Sequence, residues 1–200
     1  MRSEHLRRLD GRLRILRKRY LPRRFSATAN YSEEIYVSAS AFILLMHSEL
    51  ETYFEQFALY LQGKLLNDLA ASRTTVATEA ALLIYCNQQS PGGPSAISEI
   101  RAEPWRLRQI QSAAHKIRMK IEANKGIKTS NILGIFMPLG LDEGLVDQAL
   151  LTDLDDFCHL RGSVAHHAIH DIAILPDPKQ AREMAIRIVE SLKQFELQLA

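Results

Sequence analysis

Cysteine is scarce in this 200-residue chain: Cys86 and Cys158 are the only two. They stand far apart in helix-like surroundings, so neither a disulfide framework nor a cysteine zinc site is indicated, and a reducing, cytoplasmic setting fits. Long apolar runs are missing as well. The longest, Ala41 to Met46, is far too short to cross a bilayer, and no apolar stretch of the kind a signal peptide carries follows the arginine-rich N-terminus. No membrane partner is therefore expected. No segment alternates with period two, and neither an internal repeat nor a low-complexity tract is present. What remains is an ordinary globular composition, 46% hydrophobic and 24% charged, long enough to bury a sizeable core.

Acidic charge is nearly absent from the first 24 residues. They hold nine arginines and Lys18 against Glu4 and Asp10, a net +8, so the remainder carries −6 of the chain's +2. Leu6, Leu9, Leu13, Leu16 and Tyr20 recur at spacings of three and four, so residues 3–20 read as an amphipathic helix that Pro22 ends. Its other face is basic, with Arg7, Arg8, Arg12, Arg14, Arg17, Lys18 and Arg19. Basic charge without interleaved aromatics favours contact with the backbone of RNA over base reading. The same pattern suits leucines packed on the body beneath solvated arginines, an acidic partner or a membrane surface. The organisation expected is a basic amphipathic helix over residues 1–24 and one helical domain over residues 25–200.

Helical periodicity continues through that domain. Ser32 before Glu33 and Glu34 reads as a helix start. Tyr36, Ile43, Leu50, Phe54, Phe57 and Leu61 then keep the period for some thirty residues until Gly63 and Asn67 loosen it. A third helix runs through Ala80 and Leu83 to the turn signals of Ser90 to Pro94. A fourth spans about Pro104 to Ala123, with Trp105, Ile110, Ile117 and Ile121 inward. Ser130 is a candidate cap for a short helix to Phe136. Thr152 and Asp155 have capping-box spacing, although the next helix could begin as early as Asp142. Asp177-Pro178 opens the last helix, carried by Ala181, Met184, Ile188, Leu192 and Phe195. The chain reads as all-α, a bundle of four to five long helices with the N-terminal basic helix in addition.

Residues 158–170 hold four of the seven histidines and a lone arginine: His159, His166, His167, His170 and Arg161. Imidazole exchanges protons near neutral pH, and a guanidinium fork matches phosphate oxygens, so the pairing suits phosphate chemistry. On a regular helix His166 lies roughly 140° around from Arg161 and about 7.5 Å further along. The two meet on one phosphate only if the arginine bends back, if the helix loosens at Gly162, or if a second copy of the chain supplies the missing group. His159, His166 and His170 fall within roughly 20° of one line, with Asp155 a turn earlier, which has the look of a metal site. A solvated polar face is the third reading.

Arg161-Gly162-Ser163-Val164-Ala165-His166 is an R-x4-H sequence, and it resembles the signature of the HEPN superfamily (higher eukaryotes and prokaryotes nucleotide-binding). In that family an arginine, four to six residues and a histidine end a late helix. Lys128 to Leu141 is similar to the segment leading into that helix in the RiboL-PSP branch, and the helix bearing Glu49 to Glu55 extends the likeness, which covers about residues 32 to 170. The resemblance implies a HEPN-like bundle and a metal-independent endoribonuclease with no cofactor and no metal. Such proteins are often bacterial toxins or antiviral defence effectors, held in check by an antitoxin or another regulatory protein and active as homodimers whose two motifs meet in one cleft. His166 would then be the general acid or base for attack of a ribose 2′-hydroxyl on the adjacent phosphate, with His167 next in line under R-x5-H spacing. Arg161 would stabilise the phosphoryl charge, and Ser163, His159 and His170 would support. Gly162 stands where many active members carry asparagine or another polar residue. It favours the alternative, a catalytically inactive module that binds RNA, a nucleotide or a partner protein.

Overall fold

The computed structural model of the chain describes residues 3–71, 73, 103–166 and 176–199. Among them are six α-helices and no strand, so the fold is all-α. The helices are α1 (Glu4–Tyr20), α2 (Glu33–Ala70), α3 (Glu103–Glu122), α4 (Thr129–Phe136), α5 (Gln148–His166) and α6 (Pro178–Leu197). None of the described helices is long and apolar enough to cross a membrane. The expected helix through Ala80 and the turn at Ser90 to Pro94 lie outside the described residues.

α1 starts where the Ser3 side chain accepts the Leu6 N–H, satisfying one of the donors that the first turn leaves open. Leu6, Leu9, Leu13 and Leu16 are buried in the same core as the rest of the bundle. α2 is the central element, in contact with α1, α3, α4, α5 and α6. It runs on through Gly63 and Asn67 to Ala70, rather than loosening at Gly63. A helical glycine costs about 1 kcal/mol against alanine, whereas Leu61 and Leu65 on either side are buried, each worth about 1.5–3 kcal/mol. Packing therefore overrides the local preference. Gln62 adds a buried bond, its Nε2 donating to the Ala114 carbonyl of α3 at 2.6 Å. Ile110, Ile117 and Ile121 are buried on α3 as expected, and the Trp105 side chain lies outside what the structure describes. The centre of the core is aromatic: Phe54, Phe136 and Phe195 meet edge to face, with centroids 5.1 to 6.1 Å apart.

Two starts differ from the sequence reading. α4 is capped across the fold by Asp155 of α5, which accepts from Thr129 N at 2.9 Å and Thr129 Oγ1 at 2.8 Å, so Ser130 is not needed as a cap. α5 begins at Gln148, with Asp147 Oδ1 accepting from Ala149 N at 2.9 Å. Thr152 already lies inside the helix, its hydroxyl donating to the Gln148 carbonyl at 2.9 Å. Asp142 caps a separate 3-10 turn, Glu143–Leu145, through Gly144 N. The start of α6 is as expected, with Asp177 accepting from Lys179 N and Gln180 N ahead of Pro178.

Pairings set the directions. Glu196 of α6, buried, accepts from Ser3 N at 3.1 Å, from Ser3 Oγ, and from the Tyr53 hydroxyl of α2 at 3.1 Å. Arg12 meets Glu49 at 2.8 Å, so α1 and α2 are antiparallel. Arg187 meets Asp153 at 2.8 Å and Gln198 reaches the Leu145 carbonyl, so α5 and α6 are antiparallel. α1 and α5 thus run one way, α2 and α6 the other. One end of the bundle is closed by Ser3, Tyr53 and Glu196. The other carries the C-terminal ends of α1 and α5 and the N-terminal turns of α2 and α6.

Candidate functional site

α5 is a continuous helix from Gln148 to His166, Gly162 included. The helix does not loosen at Gly162, so positions 161 and 166 keep the separation of roughly 140° and about 7.5 Å that an ideal helix gives. Leu150, Leu154 and Phe157 form the buried stripe of α5, and Arg161, four residues beyond Phe157, continues that stripe but is exposed. It stands where the helix emerges from the end of the bundle. Among the described residues Arg161 makes no hydrogen bond or ion pair. Arg12, Arg14, Arg73, Arg118 and Arg187 are all engaged by carboxylates.

Beneath Arg161 lies a group of residues that sequence reasoning did not join to it. His47 of α2 is 8% exposed, stacks on Phe157 with centroids 6.3 Å apart, and comes within 4.0 Å of Cys158 Sγ through Nε2. Burial pushes the His47 imidazole below its ordinary pKa, against the pull of Glu51, and the nearby charge of Arg161 pushes it the same way as burial. His47 is thus biased toward the neutral form. Burial likewise raises the Cys158 thiol; the Ile127 backbone opposes, Asp155 adds to the rise, and Lys128 and Arg161 oppose. Glu51 accepts a hydrogen bond from Gly126 N, at a glycine with φ of 115° where a side chain would be strained. That bond fixes the turn carrying Lys125 and Lys128, both exposed. The result is a pair of exposed cations, Arg161 and Lys128, close to Cys158 and the buried His47 imidazole.

The other expected site residues divide. His159 is exposed and Ser163 half-buried on α5, and at 100° per residue they lie on the side away from Arg161. His166 is the last position of α5, and its side chain lies outside the described residues, as do His167 and His170 altogether. Asp155, the carboxylate of the histidine stripe, is held by Thr129. Among the described residues no three His, Cys, Asp or Glu side chains are grouped to hold a metal ion.

The basic residues of α1 are not one uniform surface. Arg12 is tied to Glu49 and Arg14 to Asp10 at 3.2 Å. Arg7 Nε donates to the Ser3 carbonyl at 3.4 Å, and Arg19 lies 5.7 Å from the Tyr20 ring centroid. Arg8, Arg17 and Lys18 make no ion pair among the described residues. Glu49 and His47 are roughly 200° apart on α2, so α1 and Arg161 lie on different flanks of that helix. Only a tertiary contact could have joined His47, 111 residues away, to Cys158; no local pattern marks it.

Comparison with known protein families, with curated proteins and with solved structures finds no match for this chain.

Proposed function

We propose that the chain is a metal-independent endoribonuclease in which Arg161 and His166 act on the scissile phosphate. The observation that supports this most is Arg161 itself: an exposed guanidinium at the end of the bundle with no partner among the described residues. The His47 imidazole near it is held below its ordinary pKa by burial and by the Arg161 charge, so it is a poor second cation beside that guanidinium. A free fork of this kind is suited to phosphate oxygens.

In the reaction His166 takes the proton of the ribose 2′-hydroxyl, the 2′-oxygen forms a bond to phosphorus, and the bond to the 5′-oxygen breaks. That oxygen takes a proton from the imidazolium of a second His166 or from water. Arg161 offsets the negative charge that grows on the non-bridging oxygens. Because the two positions diverge on a continuous helix, the site is completed by a two-fold copy, Arg161 of one protomer facing His166 of the other. DNA lacks the nucleophile and is not cut.

The test is cleavage of single-stranded RNA and of the matching DNA by purified protein with and without EDTA, beside Arg161→Ala. Cleavage of RNA alone, insensitive to EDTA, giving cyclic phosphate ends and falling by at least about 10²-fold in the variant, is the expected result. Loss on chelation would replace this mechanism with metal chemistry. A second reading has its own observation: Gly162 places no side chain beside Arg161, and no atom of the described residues fills that position. If RNA is bound and never cut, the chain is a binding module.

A further inference from the structure

A groove of about 550 Å³ opens between the C-terminal turn of α1, the segment after it, and the first turns of α6. Arg14, Arg17, Lys18 and Arg23 line it on one side and Arg182 on the other, with Phe25 between, and none of its lining residues is acidic. Arg17, Lys18, Arg23 and Arg182 make no ion pair among the described residues. Arg14 has Asp10 outside the groove, in an exposed pair that water and salt screen. Like charges converging on one concavity repel each other, and a ligand with several negative charges offsets that repulsion.

The shape and the residue types narrow the ligand. The Arg182 guanidinium lies 5.7 Å from the Phe25 ring centroid, within cation–π range, so an aromatic plane and a guanidinium plane stand together among cations. Phosphates taken by arginine forks and a base stacked on such planes are the way single strands are held. A lipid surface would meet a protruding basic face rather than fill a groove.

Position adds a second argument. From the Asp153–Arg187 pair, Arg161 is eight residues on along α5 and Arg182 five residues back along antiparallel α6. Those steps rise about 12 Å and about 7.5 Å in the same direction. Groove and Arg161 therefore share the same end of the bundle.

We propose that this groove binds the backbone of single-stranded RNA and holds the strand whose scissile phosphate reaches Arg161. The choice of RNA rests on the ribonuclease reading; the polyphosphate chemistry of the groove does not. The test is fluorescence anisotropy of a labelled single-stranded RNA oligonucleotide with the full chain over a salt series. Arg17→Ala, Arg23→Ala and Arg182→Ala should each weaken binding several-fold and lower the slope of log affinity against log salt by about 0.7 per lost contact. Arg182→Lys should keep most of that slope. Lys64→Ala removes the same charge near Glu196 at the opposite end and should change neither quantity, with melting curves confirming that all variants fold. Wild-type affinity in the three groove variants would overturn the groove while leaving the ribonuclease reading standing. Weakened binding in a protein that never cleaves would do the reverse. Binding to phosphatidylserine vesicles but not to RNA, abolished by the same variants, would overturn the proposal in favour of a membrane surface.

Discussion

Gly162→Ala is a sharp test of the geometry at the motif. The residue lies inside α5, which continues to His166, and a β-carbon built there meets no atom of the described residues within 4 Å. Its φ is not in the left-handed region, so alanine brings neither a clash nor strain. What changes is the unfolded chain, which loses conformational freedom, and the helix, which loses a weak link; together these stabilise by about 1 kcal/mol. For a chain of this length that is a rise in melting temperature of about 2–4 °C. Thermal and urea unfolding followed by circular dichroism at several protein concentrations measure it. If the variant is less stable, and more so at high concentration, a second copy packs against Gly162 in solution. If it is less stable at all concentrations, α5 is not a free helix at this position and the divergence of Arg161 and His166 loses its basis. Gly162→Asn restores the polar residue of the resembled family at little cost in stability. Under the ribonuclease reading it should raise cleavage.

Other consequences can be measured alongside. Glu196→Ala strips a buried acceptor from Ser3 and Tyr53 and should destabilise by about 2–5 kcal/mol, against about 1 kcal/mol for Tyr53→Phe; similar values for the two would mean that the carboxylate does not join the three helices. Removing residues 1–22 should unfold the bundle rather than merely trim a basic tail. Leu6, Leu9, Leu13 and Leu16 are in its core, together worth roughly 6–12 kcal/mol of a typical total of about 5–15 kcal/mol; a truncated chain with native helicity and cooperative melting would contradict this. His47, with Glu51, Cys158 and Arg161 around it, is held below its ordinary pKa. The unfolded chain thus binds the proton more readily, so this contribution is intact above about pH 6.5 and is lost as the pH falls through the depressed folded value. Urea midpoints between pH 7.5 and 5 should drop less steeply for His47→Phe than for the parent; equal slopes would put the loss elsewhere.

Much of the fold was legible because it is written in local periodicity. The leucines of α1, the isoleucines of α3 and the Asp177-Pro178 start of α6 could each be read from spacing and cap chemistry alone. The exceptions share a cause. Asp155 caps α4 from another helix, α2 persists through Gly63 because its flanking leucines are buried, and α5 waits until Gln148 because Asp142 is used by a separate turn. At the site, the spacing of Arg161 and Gly162 on a helix was readable. The approach of His47 was not, since it depends on how α2 and α5 cross. The pairing of Arg12 was equally hidden, because Glu49 belongs to another helix, whereas that of Arg14 with Asp10 follows from i,i+4 spacing on α1 itself.

Arg161 occupies a register that is buried earlier on α5. A helix surrounded by partners along its whole length would bury every member of the stripe that begins at Leu150, Leu154 and Phe157. An arginine in that register would leave a charge in the core, which costs several kcal/mol unless paired. Arg161 is tolerated there because the stripe turns from core to solvent within about one turn of Phe157, although Leu160 and Val164 still pack partly against the core. Arg161 is exposed near the end of the bundle that carries the C-terminal end of α5, so an anion can reach it from that end. Arg17, Lys18, Arg23 and Arg182 crowd that same end, whereas Lys64 lies at the other. The cations of the groove thus stand at the same end as Arg161, an arrangement that would draw in an extended polyanion and lay it across Arg161. Charge reversal at Arg182 should accordingly slow RNA association more than it speeds dissociation, measured by stopped flow at low salt. A change confined to dissociation would mean that the groove grips the strand without guiding it.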